Sequence, residues 1–152
     1  MLNDFFEEAL EQACRAIKEK SGGPFGAVIV CNDQIVGRGF NTVLRDNDPT
    51  AHAEVNAIRE AAKKLESVNL LNCFLVTTSE PCPMCLMAAR WARLSKIYYA
   101  APRSLASRYG FQDEELYKSI REAGIEMVEV EEFYQQVEDV FKLWKDNDAR
   151  LY

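Results

Sequence analysis

At 152 residues the chain is long enough for one domain with a sheet covered by helices, and 48% hydrophobic with 28% charged residues is ordinary for a soluble globular fold. Aspartates and glutamates outnumber lysines and arginines 24 to 18, a net charge of -6, so phosphate-neutralising capacity is short and a small substrate is favoured over nucleic acid. No apolar stretch is long enough to span a bilayer, and "MLNDFFEEAL" carries acids where a secretory signal would carry bases, so no membrane association is expected and the cytoplasm is the expected compartment.

Apolar residues recur at Phe6, Leu10, Ala13 and Ile17, the spacing of an amphipathic helix over 3–20, with Asn3 available as its cap. "SGGPFG" breaks that pattern. "AVIV" and "QIVGRGFN" follow as two strands of a hairpin turned by Asn32 and Asp33. A second helix begins near His52, with Asp48 or Thr50 as candidate cap and Pro49 near its first turn, and runs to about Leu65. "CFLVTTS" is a third strand leading into "EPCPMCLMAARWARL", a third helix, and "KIYYAA" is a fourth strand. Residues 102–124 read as loop-rich and then helical, "EMVEV" as a short fifth strand, and "EEFYQQVEDVFKLW" as a closing amphipathic helix. Strand, helix, strand alternation implies parallel pairing through right-handed crossovers. The expected fold is therefore α/β, three layers with helices on both faces of a mixed five-stranded sheet, in a single domain over 1–152 with no repeat, linker or low-complexity tract.

Two helix starts hold the residues able to bind a metal. Cys82 and Cys85, spaced i, i+3, project from one face of the first turn and can hold one ion. The only histidine, His52, lies two residues before Glu54; such a pair cannot share a target beside the helix but can share one off its N-terminal end, toward which helical side chains lean. One imidazole and two thiolates leave a tetrahedral zinc ion with a fourth position for water, the pattern of a catalytic site. Helix N-termini favour thiolate and hydroxide, and the unligated Glu54 is placed to carry a proton from water to a leaving group. His52-Ala53-Glu54 followed by Pro81-Cys82 and Cys85 matches the established signature of zinc nucleobase deaminases; it is a match, not a derivation.

Two readings compete. A structural zinc site closed by Cys14, Cys31 or Cys73 would make the domain a binding module, and a redox Cys-x-x-Cys would predict a Cys82–Cys85 disulfide while leaving His52 and Glu54 without a role. Cys14, Cys31 and Cys73 otherwise read as small apolar residues in or near the core.

Through "GGPFGAVIV", "NDPTAHAEVNAIREA" and "SEPCPMCLMAARWAR" the chain resembles the cytidine deaminase-like superfamily from about residue 3 to residue 113. Within it, "GGPFG", the "WAR" after "EPCPMC" and "YGFQDEELYKSI" are most similar to the guanine deaminase branch, although Gln112 stands where that branch often carries a second aspartate. The resemblance implies zinc-dependent hydrolysis of guanine to xanthine and ammonia, with guanosine or cytosine deamination and then tRNA adenosine deamination as alternatives. It implies that Phe25 and Trp91 sandwich the base, that Asn41 and Asp113 hydrogen-bond its edge, and that Ala53 lies beside it in the signature. It further implies a homodimer in which the C-terminal helix, about 131–149, is exchanged so that Tyr152 caps the site. The acidic "EMVEVEEFYQQVEDVF" speaks against an RNA substrate, unless it is only a solvated helix face.

Overall fold

Five residues of the N-terminal stretch, Phe5, Phe6, Ala9, Ala13 and Ile17, fall on one side of a helix and are buried, which forms α1 (Leu2–Lys18). Asn3 lies inside α1 and does not cap it; the cap position is Met1, because the apolar face begins at Leu2. The computed structural model describes residues 1–114, 116 and 126–147. β1 (Gly26–Cys31) and β2 (Gln34–Phe40) form the expected hairpin, and both turn residues, Asn32 and Asp33, adopt the positive φ that a two-residue turn requires. A one-turn helix α2 (Val43–Asp46), not anticipated from sequence, precedes α3 (Ala53–Lys64). β3 (Cys73–Ser79), α4 (Pro83–Trp91) and β4 (Lys96–Ala101) make the crossover unit. α5 (Arg103–Arg108) lies in a segment expected to be loop, and the helical part expected before residue 124 falls largely outside the described residues. β5 (Glu126–Glu129), a 3-10 turn (Glu131–Phe133) and α6 (Tyr134–Asp146) complete the fold.

The sheet order is β2-β1-β3-β4-β5. β1 pairs antiparallel with both β2 and β3, while β3–β4 and β4–β5 are parallel, so the sheet is mixed and five-stranded as expected. Alternation along the strands sorts the core into two layers. Ala27, Ile29 and Leu75 face α3 and α4, where Ala53, Ala57, Leu86 and Ala89 meet them. Val28, Val30 and Val76 face the other way, against Phe6 of α1, Leu105 of α5 and Phe141 of α6. α6 buries Val137, Phe141 and Trp144 within its own chain, and residues 148 and 149 of the segment expected to exchange lie outside the described residues. Among the described residues no helix is long and apolar enough to cross a membrane.

Two details hold the sheet, one at the end away from α4's start and one where α3 lies on β2. Cys31 and Cys73 are buried as expected, but they are also register partners across β1 and β3, with Cα atoms 4.4 Å apart, and are joined as a disulfide. A pairing across 42 residues of sequence has no local signal. Gly37 and Gly39 of β2 let α3 lie directly on the strand: a Cβ on Gly39 would run into the Ala53 carbonyl and the Ala57 amide. Ala53, Ala57 and Ala61, one turn apart on α3, complete this close approach and are fully buried. Gly39→Ala should therefore cost about 2 kcal/mol or more, since the clash is with backbone that cannot rotate away; a urea melt showing an unchanged midpoint would contradict the packing.

Candidate metal centre

His52 and Cys82 occupy the same position in two helices. Each is the N-cap, with extended backbone at φ -70°, ψ 157° for His52 and φ -66°, ψ 165° for Cys82, and neither makes a side-chain capping hydrogen bond. N-cap side chains ordinarily turn back onto the amides of the first turn. Here the imidazole and the thiol turn toward each other instead. The expected caps of α3 serve elsewhere: Asp48 accepts from the Thr50 amide at 2.8 Å and hydroxyl at 2.7 Å, closing the turn that delivers His52. Pro83 opens α4 at no cost, because the first helical amide has no intrahelical acceptor.

His52 Nδ1 lies 3.6 Å from Cys82 Sγ and 3.5 Å from Cys85 Sγ, and the three donor atoms fall within 4.8 Å of one another. Tetrahedral zinc with legs of roughly 2.0–2.1 Å to nitrogen and 2.3 Å to sulfur would separate N from S by about 3.6 Å. The donor set fits that ion in chemistry and in spacing. Cys31 and Cys73 are bonded to each other and Cys14 is exposed, so none of them closes the cluster as a fourth ligand, and Cys82 and Cys85 are free thiols. Both competing readings of the cysteines lose their support.

Charge is already organised around the sulfurs. The hydrogen bond from Cys85, with His52 beside it, holds the Cys82 thiol down at about 4, and the same bond together with burial pushes Cys85 up. Burial works against a charged His52, but the Cys82 hydrogen bond and the charges of Glu54, Cys82 and Asp113 outweigh it and raise the imidazole. The surroundings thus favour thiolate at Cys82, the form of cysteine that binds metal. Glu54, the second residue of α3 and only 6% exposed, stays outside the ligand cluster; burial, then the Cys82 charge, pushes its carboxyl up. A carboxyl so raised holds a proton more readily than a solvated one, which suits a group that takes a proton and returns it.

The other sequence-selected residues divide. Asn41 follows β2, is 1% exposed, and is locked from all sides: its amide donates to the Phe25 carbonyl, its carbonyl accepts from Ser21 Oγ at 2.7 Å, and its Oδ1 accepts from the Val43 amide at 3.1 Å. That last bond fixes the side-chain orientation and leaves Nδ2 buried without a partner. Asp113 is brought close enough for its charge to act on His52 and for the Cys82 charge to act on it; burial, first, and Cys82 raise its carboxyl, and its Oδ1 has no hydrogen-bond partner. Ala53 is the first residue of α3, buried beside His52. Phe25 neighbours Asn41 and packs edge-on against Phe111 and Phe141, at 5.0 and 5.4 Å between ring centres. Trp91 is not brought to the site. It ends α4, roughly 13 Å along the axis from Cys82 at 1.5 Å per residue, and is 86% exposed, so within one chain it cannot stack opposite Phe25. Tyr152 lies outside the described residues. Glu80 was not anticipated: its Oε2 accepts from the Arg103 amide at 2.9 Å and so ties the approach to Cys82 to the start of α5. An acid immediately before Pro-Cys was its only sequence trace.

Residues 1–101 match the cytidine and deoxycytidylate deaminase zinc-binding region. The chain is 49% identical over 116 residues to the guanine deaminase of Bacillus subtilis, covering 76% of this chain and 74% of that protein. It is 42% identical over 97 residues to the tRNA-specific adenosine deaminase of Aquifex aeolicus, covering 64% of each. The crystal structure of guanine deaminase from Bacillus subtilis superposes with a TM-score of 0.75 at 40% identity, over 99% of this chain and 97% of that one.

Purified protein should carry about one zinc per chain by elemental analysis, His52→Ala and Cys82→Ala should lose nearly all of it, and Glu54→Gln should keep it. Full zinc content in His52→Ala would remove the imidazole from the ligand set.

Proposed function

The chain belongs to the cytidine and deoxycytidylate deaminase family of zinc-binding proteins, and from that premise we propose that it hydrolyses guanine to xanthine and ammonia. His52, Cys82 and Cys85 would hold zinc, which would supply an electrophilic centre able to acidify water. Glu54, buried beside that centre but outside the ligand cluster, accepts a proton from the attacking water and passes it to a ring nitrogen; it then carries the proton of the newly added hydroxyl to the amino group, which leaves as ammonia as the C–N bond breaks and the carbonyl forms. Asn41 Nδ2 donates to the base, Asp113 Oδ1 accepts from a ring or exocyclic N–H, Phe25 meets its flat face, and the first-turn amide of Ala53, which no intrahelical bond uses, lies at its edge. Tyr152 closes the pocket in this reading.

The observation that carries the proposal is the pairing of a three-ligand cluster with a buried, unligated carboxylate and two unpartnered polar atoms of opposite hydrogen-bonding sense. The acidic Glu129, Glu131 and Glu132 of the last strand and turn favour a free base over tRNA, whose phosphates they would repel. We further propose a single-domain homodimer. Its support is the pair of exposed apolar side chains Leu71 and Trp91, flanked by half-buried Met87 and bordered by Arg90 and Arg93, a more productive place for Trp91 than open solvent. Placement in the cytoplasm is part of the same reading; the free Cys82 and Cys85 support it, and the buried Cys31–Cys73 disulfide is the feature it has to accommodate.

Ammonia release measured separately with guanine, guanosine, cytosine, adenine and an anticodon stem-loop tests the substrate. Guanine should be fastest, Glu54→Gln should fall about 10²–10⁴-fold in kcat with zinc retained, and Asn41→Ala should lose mainly in KM. Full activity in Glu54→Gln would refute the proton-transfer role. Sedimentation of the wild type should give twice the 17.3 kDa chain mass, and Trp91→Glu should shift it toward the monomer. A wild type that sediments as a monomer would refute the dimer.

A further inference from the structure

We propose that the hydroxyl of Ser79 is a substrate contact, a third polar group on the pocket floor that hydrogen-bonds a ring nitrogen of the heterocycle. The inference rests on the deaminase reading above and adds a residue to it. Asn41, Phe25 and Ser79 stand in one row across β2, β1 and β3. The register pairs Gly26 with Phe40 and Ala27 with Thr77. Carried on to Phe25, it places Asn41 on one side, where the backbone bond between them is 3.1 Å, and Ser79 on the other. Along β3, Cys73 and Leu75 face α3 and α4, whereas Phe74 and Val76 face α1 and α6. Ser79 continues the first set, two residues beyond Thr77 and three before the ligand Cys82, at the end where the N-caps of α3 and α4 converge.

The hydrogen bonding singles it out further. Thr77 donates to the Gly26 carbonyl at 3.3 Å and Thr78 accepts from the Gly26 amide at 3.2 Å, so the hydroxyls just before Ser79 in β3 are satisfied by backbone. Ser79 is 3% exposed and its Oγ has no partner. Among the described residues, the buried side-chain atoms left in that state are Asn41 Nδ2, Asp113 Oδ1 and Ser79 Oγ. Two of these already belong to the pocket. A buried hydroxyl without a partner is destabilising, and its persistence at a ligand site is accounted for when the ligand completes it. The three groups differ in kind: Asn41 Nδ2 only donates, an ionised Asp113 only accepts, and a hydroxyl rotates between both. Such a group suits a ring nitrogen that accepts in the substrate and bears a proton once Glu54 has delivered it.

The test compares zinc-loaded wild type, Ser79→Ala and Ser79→Thr. Ser79→Ala should raise KM about tenfold with kcat changed less than threefold, while Ser79→Thr, which keeps the hydroxyl, should recover most of the loss. Removing an unsatisfied buried hydroxyl should leave the substrate-free melting temperature unchanged or raise it by about 1–3 °C, where a structural role would lower it. A KM within twofold of wild type in Ser79→Ala, or a lower melting temperature, overturns the proposal. The kinetic comparison runs on whichever heterocycle the wild type deaminates fastest, so activity on cytosine alone would refute the purine reading while still deciding the part played by Ser79.

Discussion

His52 Nδ1 and the sulfurs of Cys82 and Cys85 must stay within one ion's reach although they sit on separate helices joined through a strand of the sheet. Neither helix can meet that requirement alone. α3 is set by its alanine face lying on Gly37 and Gly39, a contact with almost no side-chain volume and therefore almost no freedom to slide. α4 is set by the short connection from β3 and by Leu86 and Ala89 packing into the same core layer. The two N-caps meet because both helices lean on one face of one sheet.

Placing ligands at N-caps has an electrostatic consequence. The first-turn amides of α3 and α4 point their positive ends toward the cluster, where anionic sulfur and the Glu54 carboxylate reside. Burial acts in the opposite direction and raises Glu54, while the hydrogen bond to Cys82, with burial added, raises Cys85. The balance leaves Cys82 as the resident anion and keeps Glu54 able to carry a proton. The capping hydrogen bonds that His52 and Cys82 forgo are a local loss of helix stability accepted for function, and tertiary packing offsets it.

Much of this was legible in the order of residues. The hairpin, the crossover unit and the ligand set follow from short-range patterns: turn residues at Asn32 and Asp33, β-branched runs, and the spacings around His52 and Cys82. The N-terminal boundaries were less readable. Asn3 and Asp48 have the chemistry of caps, yet the apolar face of α1 begins before Asn3 and Asp48 is engaged by Thr50. Propensity describes what a residue can do, and neighbours decide what it does.

Residue identity and spacing by themselves picked out the candidate metal ligands, the acid proposed to carry the proton and the mixed sheet, because each depends on atoms a few positions apart or on a periodicity repeated along the chain. Only the tertiary structure decided that Cys31 bonds Cys73, that Trp91 ends on the surface a helix length from the cluster, and that Asn41, Asp113 and Ser79 hold unpartnered polar atoms. These are outcomes of which distant backbone lies opposite which, and hydrogen-bond satisfaction in a closed interior can be counted only once every neighbour is in place.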